Sequence, residues 1–207
     1  MSACMDAVSD WMRSNRLQLN ASKTEFIWFA TARRQHQLPT NLVRVGDEFV
    51  APSSSVRSLG IQLDSELSMN NHIAKVTAAC FGILRRIRSV NRCHSRPVLE
   101  ALMVALVLPR LDYGKATLYG LPITALNKLQ FIMNAAARLI YARRKFYHVT
   151  PILRDLNWLR IQRRTQFKVA VLMFRCLHGL APSYLAEGLR PVLDLPSRRR
   201  LRSSSFL

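Results

Sequence analysis

Acidic side chains are scarce in this sequence of 207 residues: twelve Asp and Glu stand against thirty-one Lys and Arg, a formal net charge of +19. Solubility needs far less, and self-repulsion at that charge opposes folding unless a polyanion relieves it. Cysteine is sparse as well. Cys4, Cys80, Cys93 and Cys176 lie far apart with no C-x-x-C pair, and the N-terminus lacks a secretory hydrophobic region. This excludes a disulfide scaffold, and the expectation is a reducing intracellular compartment, nucleus or cytoplasm, with no secretion. Long apolar runs are missing too. The longest, Ala101 to Leu108, falls well short of the roughly 20 residues that span a bilayer, so no transmembrane segment is expected. Only seven glycines and nine prolines interrupt a chain that is 49% hydrophobic, which is enough to fill a core.

What is present is unevenly placed. Residues 1–60 carry seven basic and five acidic side chains, residues 61–130 nine and four, and residues 131–207 fifteen and three, so net charge climbs from +2 to +5 to +12. Arg dominates, and its planar fork matches phosphate oxygens two at a time. The pattern favours nucleic acid over a membrane surface.

Hydrophobic spacing predicts an α+β chain, mostly α. Met5, Val8, Trp11 and Met12 mark an amphipathic helix that breaks near Ser14. Thr24 to Ala30 reads as a strand, and Leu42 to Val45, Phe49 to Ala51 and Ser58 to Leu63 read as a small antiparallel sheet punctuated by Gly46-Asp47 and Pro52-Ser53. From Ser68, a plausible N-cap, the period becomes 3.6. The first of about four helices buries Ile73, Val76, Cys80, Ile83, Leu84, Ile87 and Val90. The second starts after Ser95 and buries Leu99, Leu102, Met103 and Leu106 before Pro109. A third runs from Ile123 to Tyr141. After a short segment from Pro151 to Leu159, a fourth extends from Ile161 to His178 and stops at Gly179. The expected parts are a strand-containing region over 1–67, a helical bundle over 68–192 and a basic Ser/Arg-rich tail over 193–207.

Three stretches carry a resemblance. W-M-R-S-N-R-L-Q-L-N-A-S-K-T-E-F from Trp11 to Phe26 is similar to the segment after the catalytic hairpin in reverse transcriptases of LINE-type (non-LTR) retrotransposons. S-L-G-I-Q-L-D-S-E-L-S-M-N-N-H-I from Ser58 to Ile73 resembles their primer grip and the turn into the thumb. P-R-L-D-Y-G, L-Q-F-I-M-N-A-A-A-R-L-I and H-V-T-P-I-L-R-D-L-N-W-L-R-I-Q-R-R-T-Q-F-K resemble the thumb and connection of jockey-like and chicken-repeat-like elements. The resemblance implies the end of a palm over 1–67 and a thumb over 68–192.

It also implies a missing engine. Nucleotidyl transfer needs two metal ions, Mg2+ in the full-length family enzyme, clamped by carboxylates that include an adjacent Asp pair. This sequence has no Asp-Asp, and in the family that box lies upstream of the Trp11 helix. The expectation is therefore an RNA-directed DNA polymerase fragment that binds nucleic acid, is not an enzyme on its own, holds no cofactor and takes no small-molecule substrate. Asp47-Glu48, the one adjacent acidic pair, reads as a solvated turn.

Candidate residues follow, each with its plainer alternative. Lys23 matches the family lysine that helps protonate departing pyrophosphate, a role vestigial without the carboxylates; the alternative is a surface lysine. Leu59, Gly60 and Ile61 match the primer-grip tip, where glycine lets backbone approach a strand; Gly60 otherwise only relaxes a bend. Arg85, Arg86, Arg88 and Arg92, with Arg96, could track phosphates or be a solvated helix face. Arg138, Arg143, Arg144, Lys145, Arg160, Arg163, Arg164 and Lys168 are the densest basic set, interleaved with Tyr141, Phe146, Tyr147 and Trp158. Aromatics among arginines suit stacking on unpaired bases, although the spacing of Trp158 in D-L-N-W-L indicates a core wedge. His148, Cys93-His94 and Cys176-x-His178 are too few and too scattered for a zinc site. Expected partners are the RNA, DNA or hybrid backbone and, in an alternative without an independent nucleic-acid role, an intact reverse transcriptase palm. A membrane-surface role rests on charge and helicity alone and is not expected.

Overall fold

A computed structural model describes residues 2–46, 48–90 and 93–189; Asp47, Arg92 and the expected tail over 193–207 lie outside that set. The chain is α+β and mostly α, with two small antiparallel sheets and, among the described residues, eight α-helices.

Helix α1 covers Ser2–Ser14. It ends with Arg16 in the left-handed conformation, where the Leu17 N–H donates to Met12 O at 2.8 Å. Two 3-10 turns follow, Ala21–Lys23 and Ala32–Gln37. Between them Thr24 to Ala30 does not form the regular strand that its β-branched and aromatic residues predict. Among the described residues its one ladder contact is a parallel bridge of Phe26 to Pro52, because no strand there pairs along the rest of it and Pro52 has no N–H to extend the ladder. Phe26 and Trp28 instead pack edge-on against each other, 4.9 Å apart. The expected single sheet is two hairpins. Strand β1 (Val43–Val45) pairs with β2 (Glu48–Val50), and β3 (Ser55–Ser58) pairs with β4 (Ile61–Asp64).

The passage from sheet to bundle is fixed by one carboxylate. Asp64, 8% exposed, accepts from Ser68 N at 2.6 Å, Ser68 Oγ at 2.8 Å, Asn70 N at 3.1 Å and Met69 N at 3.3 Å. These N–H groups open helix α2 (Asn70–Val90) and have no partner within it. Ser68, the expected cap, also accepts weakly from Asn70 N, but Asp64 is the main acceptor. Leu67 and Met69 sit at positive φ, a cost that the capped turn holds in place.

Helix α2 buries Ile73, Cys80, Leu84 and Ile87 as its spacing predicts, while Val90 is exposed at its end. Helix α3 (Arg96–Leu106) buries Leu99 and Met103. Leu106 is exposed, contrary to expectation, because the helix stops there and Val107 takes the buried place at the break before α4 (Leu108–Asp112). Helix α5 (Ile123–Ile140) is the centre of the core. Ile132, Met133, Ala136 and Ala137 are fully buried on it, the two alanines allowing close approach of its neighbours. The short segment around Pro151 is helix α6 (Val149–Asp155); H-V-T-P does start a helix, but the expected cap Thr150 lies inside it and His148 takes the N-cap position. Trp158 is buried in the same core, as its spacing indicates. Helix α7 (Ile161–Leu177) ends at Gly179, φ +66, and α8 covers Ser183–Ala186. Among the described residues no helix is long and apolar enough to cross a membrane.

Candidate nucleic-acid interface

The densest collection of cations lines a groove of about 730 Å³ between α2 and α5. On α2, Phe81, Leu84, Arg85 and Arg88 recur at helical spacing and face one way; on α5, Phe131, Ala135, Arg138 and Leu139 do the same, and Ala142 lines the groove just past the end of that helix. The apolar members make a floor, with the Phe81 and Phe131 rings 6.0 Å apart. Arg85 and Arg88 stand on one wall and Arg138 on the other.

Three further cations join because of how α5 ends. Ala142 is left-handed, φ 50, so its N–H donates to Leu139 O at 3.2 Å and the Arg143 N–H to Arg138 O at 2.9 Å. This closure folds the chain back and brings Arg143, Arg144 and Lys145 to the groove. Beyond them Arg138 Nε donates to Tyr147 O at 3.2 Å, the Arg143 guanidinium lies 4.9 Å from the Tyr147 ring, and Phe146 is 90% exposed. Among the described residues none of the six groove cations is ion-paired. Like charges gathered without counter-charges repel at close range, which an incoming polyanion reverses.

The other candidate cations are elsewhere. Arg86 is exposed and turns back to Gly82 O at 3.4 Å. Arg163 bonds Gln166 and borders a separate recess beside Arg160, and Lys168 is exposed on α7 away from the groove. Arg164 is committed to structure: its fork holds both carboxylate oxygens of Asp112, tying α7 to α4, with Nε 2.9 Å from Oδ1. Arg92 lies outside the described residues. Arg96 stacks on Tyr141, 3.9 Å from the ring centre, and bonds its hydroxyl, which donates to Asp155 at 3.3 Å. Removal from water and the Asp155 carboxylate together hold the Tyr141 phenol above its ordinary range, against the pull of Arg96.

The Leu59-Gly60-Ile61 candidate is the tip of the β3–β4 hairpin. Leu59 (φ 47) and Gly60 (φ +85) are both left-handed, the two-residue turn that matches strand twist. Leu59 is 88% exposed. The tip is clamped from behind: the Tyr113 hydroxyl donates to Leu59 O, a Cβ at Gly60 would stand 3.3 Å from the Tyr113 ring, and one at Gly114 would collide with Ile61 at 2.7 Å. Lys23 is exposed at the end of a 3-10 turn capped by the Asn20 side chain, whose Oδ1 accepts from Lys23 N at 3.1 Å.

No protein-family model matches this chain, and comparison with curated proteins and with solved structures gives no match either.

Several participants were not among the sequence candidates. Tyr113 and Gly114 stand in P-R-L-D-Y-G, and only the fold shows that this stretch meets S-L-G-I. Phe81 and Phe131 were legible as neighbours of arginines at i+4 and i+7, had the basic and apolar spacings been read together. Asp112 and Asp64 carry no motif; each is one of few acids in a basic chain, and both are engaged with neighbours.

Proposed function

We propose that this chain is the palm end and thumb of a LINE-type retrotransposon reverse transcriptase that grips a nucleic-acid backbone through the α2–α5 groove and is not catalytic alone. The carrying observation is the groove itself, where six cations from three sequence stretches converge with no ion-paired partner among the described residues. The ordered resemblance of the three stretches supports the family, and the clamped hairpin tip suits a primer grip, offering exposed backbone from a fixed support. The partners are RNA, DNA or their hybrid, met in the nucleus or cytoplasm. Mg2+ belongs to the full-length enzyme's carboxylates, and no Asp-Asp pair is present in this sequence.

Binding measured across salt concentrations tests this. The slope of log affinity against log salt should be about −0.9 per duplex phosphate neutralised, and the triple variant Arg88→Ala, Arg143→Ala, Arg144→Ala should flatten it by about 2 to 3. Affinity that ignores salt, or a slope unchanged in the triple variant, refutes the groove.

A second reading has its own observation. Val8, Trp11, Leu17, Phe29, Leu42 and Phe49 are exposed in residues 1–67, where each two-stranded sheet also has open edges. Docking on a complementary palm would cover them. Light scattering that finds a clean monomer without affinity for an apolar dye removes this reading.

A further inference from the structure

We infer that the α2–α5 groove takes an unpaired single strand in preference to a duplex, with bases against its floor and phosphates on its walls; this rests on the backbone-binding reading above. A purely electrostatic cradle for a duplex needs cations and little else, because paired bases are hidden between the two backbones. This groove is built differently. Its floor is apolar and aromatic, from Phe81, Leu84, Phe131 and Leu139, and Phe131 is half exposed although it belongs to the most buried helix of the protein. Water over such a surface is displaced favourably by a flat apolar face, and a base offers one on either side.

The geometry sorts the two ligands. About 730 Å³ holds a few nucleotide-sized groups and is far too small to admit a double helix, which would rest across the rim and leave the floor wet. Cations on both walls let a single backbone follow either side while its bases turn inward. The turn after α5 adds a further ring, Phe146, 90% exposed, directly after the lining residues Arg143, Arg144 and Lys145. An exposed aromatic beside cations is costly to leave in water and useful for stacking.

The test uses the full chain and three labelled probes of equal length: a thymidine oligonucleotide, an abasic strand with the same phosphates and a blunt duplex, each titrated by fluorescence anisotropy at fixed salt. The thymidine strand should bind at least about fivefold more tightly than the abasic one, since one stacked base contributes roughly that much or more. Phe131→Leu, which keeps apolar bulk and removes the aromatic face, and Phe146→Ala, which alters only an exposed ring, should each lower thymidine affinity by about fivefold. Both should leave abasic and duplex binding within about twofold. Equal, salt-dependent binding of all three probes, unaffected by either variant, overturns the single-strand inference while the backbone-binding reading stands. No salt-dependent binding of any probe overturns both.

Discussion

Replacing Asp64 with alanine removes the acceptor on which the start of α2 depends. Four bonds end on this carboxylate, three of them from backbone N–H groups of Ser68, Met69 and Asn70 that no other helix residue can satisfy. Loss of a helix cap costs about 0.5–2 kcal/mol, and a buried bond to a charged acceptor contributes about 1.5–3 kcal/mol. The two overlap, so the expected loss is about 3 kcal/mol. In a chain of this size 1 kcal/mol moves Tm by about 2–4 °C, which places Asp64→Ala about 6–12 °C below the parent. The loss should reach the hairpin as well, since β4 ends at Asp64 and carries the Leu59-Gly60 tip. Asp64→Asn keeps one acceptor but turns an amide NH2 toward donors, and should fall between the two. Thermal unfolding followed by circular dichroism measures all three, with exposed Glu66→Ala as a control that changes stability by no more than about 0.5 kcal/mol. A shift under about 2 °C for Asp64→Ala would show that α2 is held by its apolar face alone, and the capping argument would fail.

Two further outcomes follow from buried or strained positions. Burial, and then the Lys75 charge, hold His72 below its ordinary 6.5, and its Nδ1 accepts from Gln62 N at 3.4 Å. The unfolded chain therefore takes up this proton first, so the contribution of His72 is full above about pH 6.5 and is lost as pH falls from there toward the lower folded value. Urea midpoints at about pH 7.5 and about pH 5.5 should differ more in the parent than in His72→Asn, and equal differences refute the assignment. Ala142→Gly should raise stability by about 0.5–1 kcal/mol, because alanine is strained at φ 50 while the bonds that close α5 remain. A lower Tm for this variant would mean that the Ala142 methyl group matters more to packing than its backbone strain costs.

Helix ends show where the sequence was legible and where it was not. Helices α1, α5, α6 and α7 all close in the same way, with one residue in the left-handed conformation and a reverse bond to the carbonyl five residues earlier. The residue is Arg16, Ala142, Asn157 and Gly179 in turn, and only the last carries the conformational signature of glycine. The stop at Gly179 was accordingly readable, whereas the return of the chain after Ala142, which places three of the six groove cations, was not. Apolar spacing located the four long bundle helices because burial repeats with the helix period. It misread Thr24 to Ala30 because strand character needs a partner strand, and composition does not reveal whether one is adjacent.

The same distinction separates the basic residues. Sequence treats Arg143, Arg144, Arg163 and Arg164 alike, as adjacent pairs in a strongly positive region. The fold gives Arg164 a carboxylate in a two-point ion pair that leaves its side chain only 17% exposed, and leaves Arg143 and Arg144 exposed with no carboxylate partner among the described residues. A cation spent on Asp112 contributes to holding α7 against α4 and has little left for a phosphate. One beside an open groove keeps its full field. A cation near the end of α5 also gains from the helix dipole, about 0.3–1 kcal/mol, which alone would account for one or two basic residues there. It does not account for Arg85 and Arg88 on the facing wall, nor for aromatic rings left open between the walls, and these are the features that a nucleic-acid strand would use.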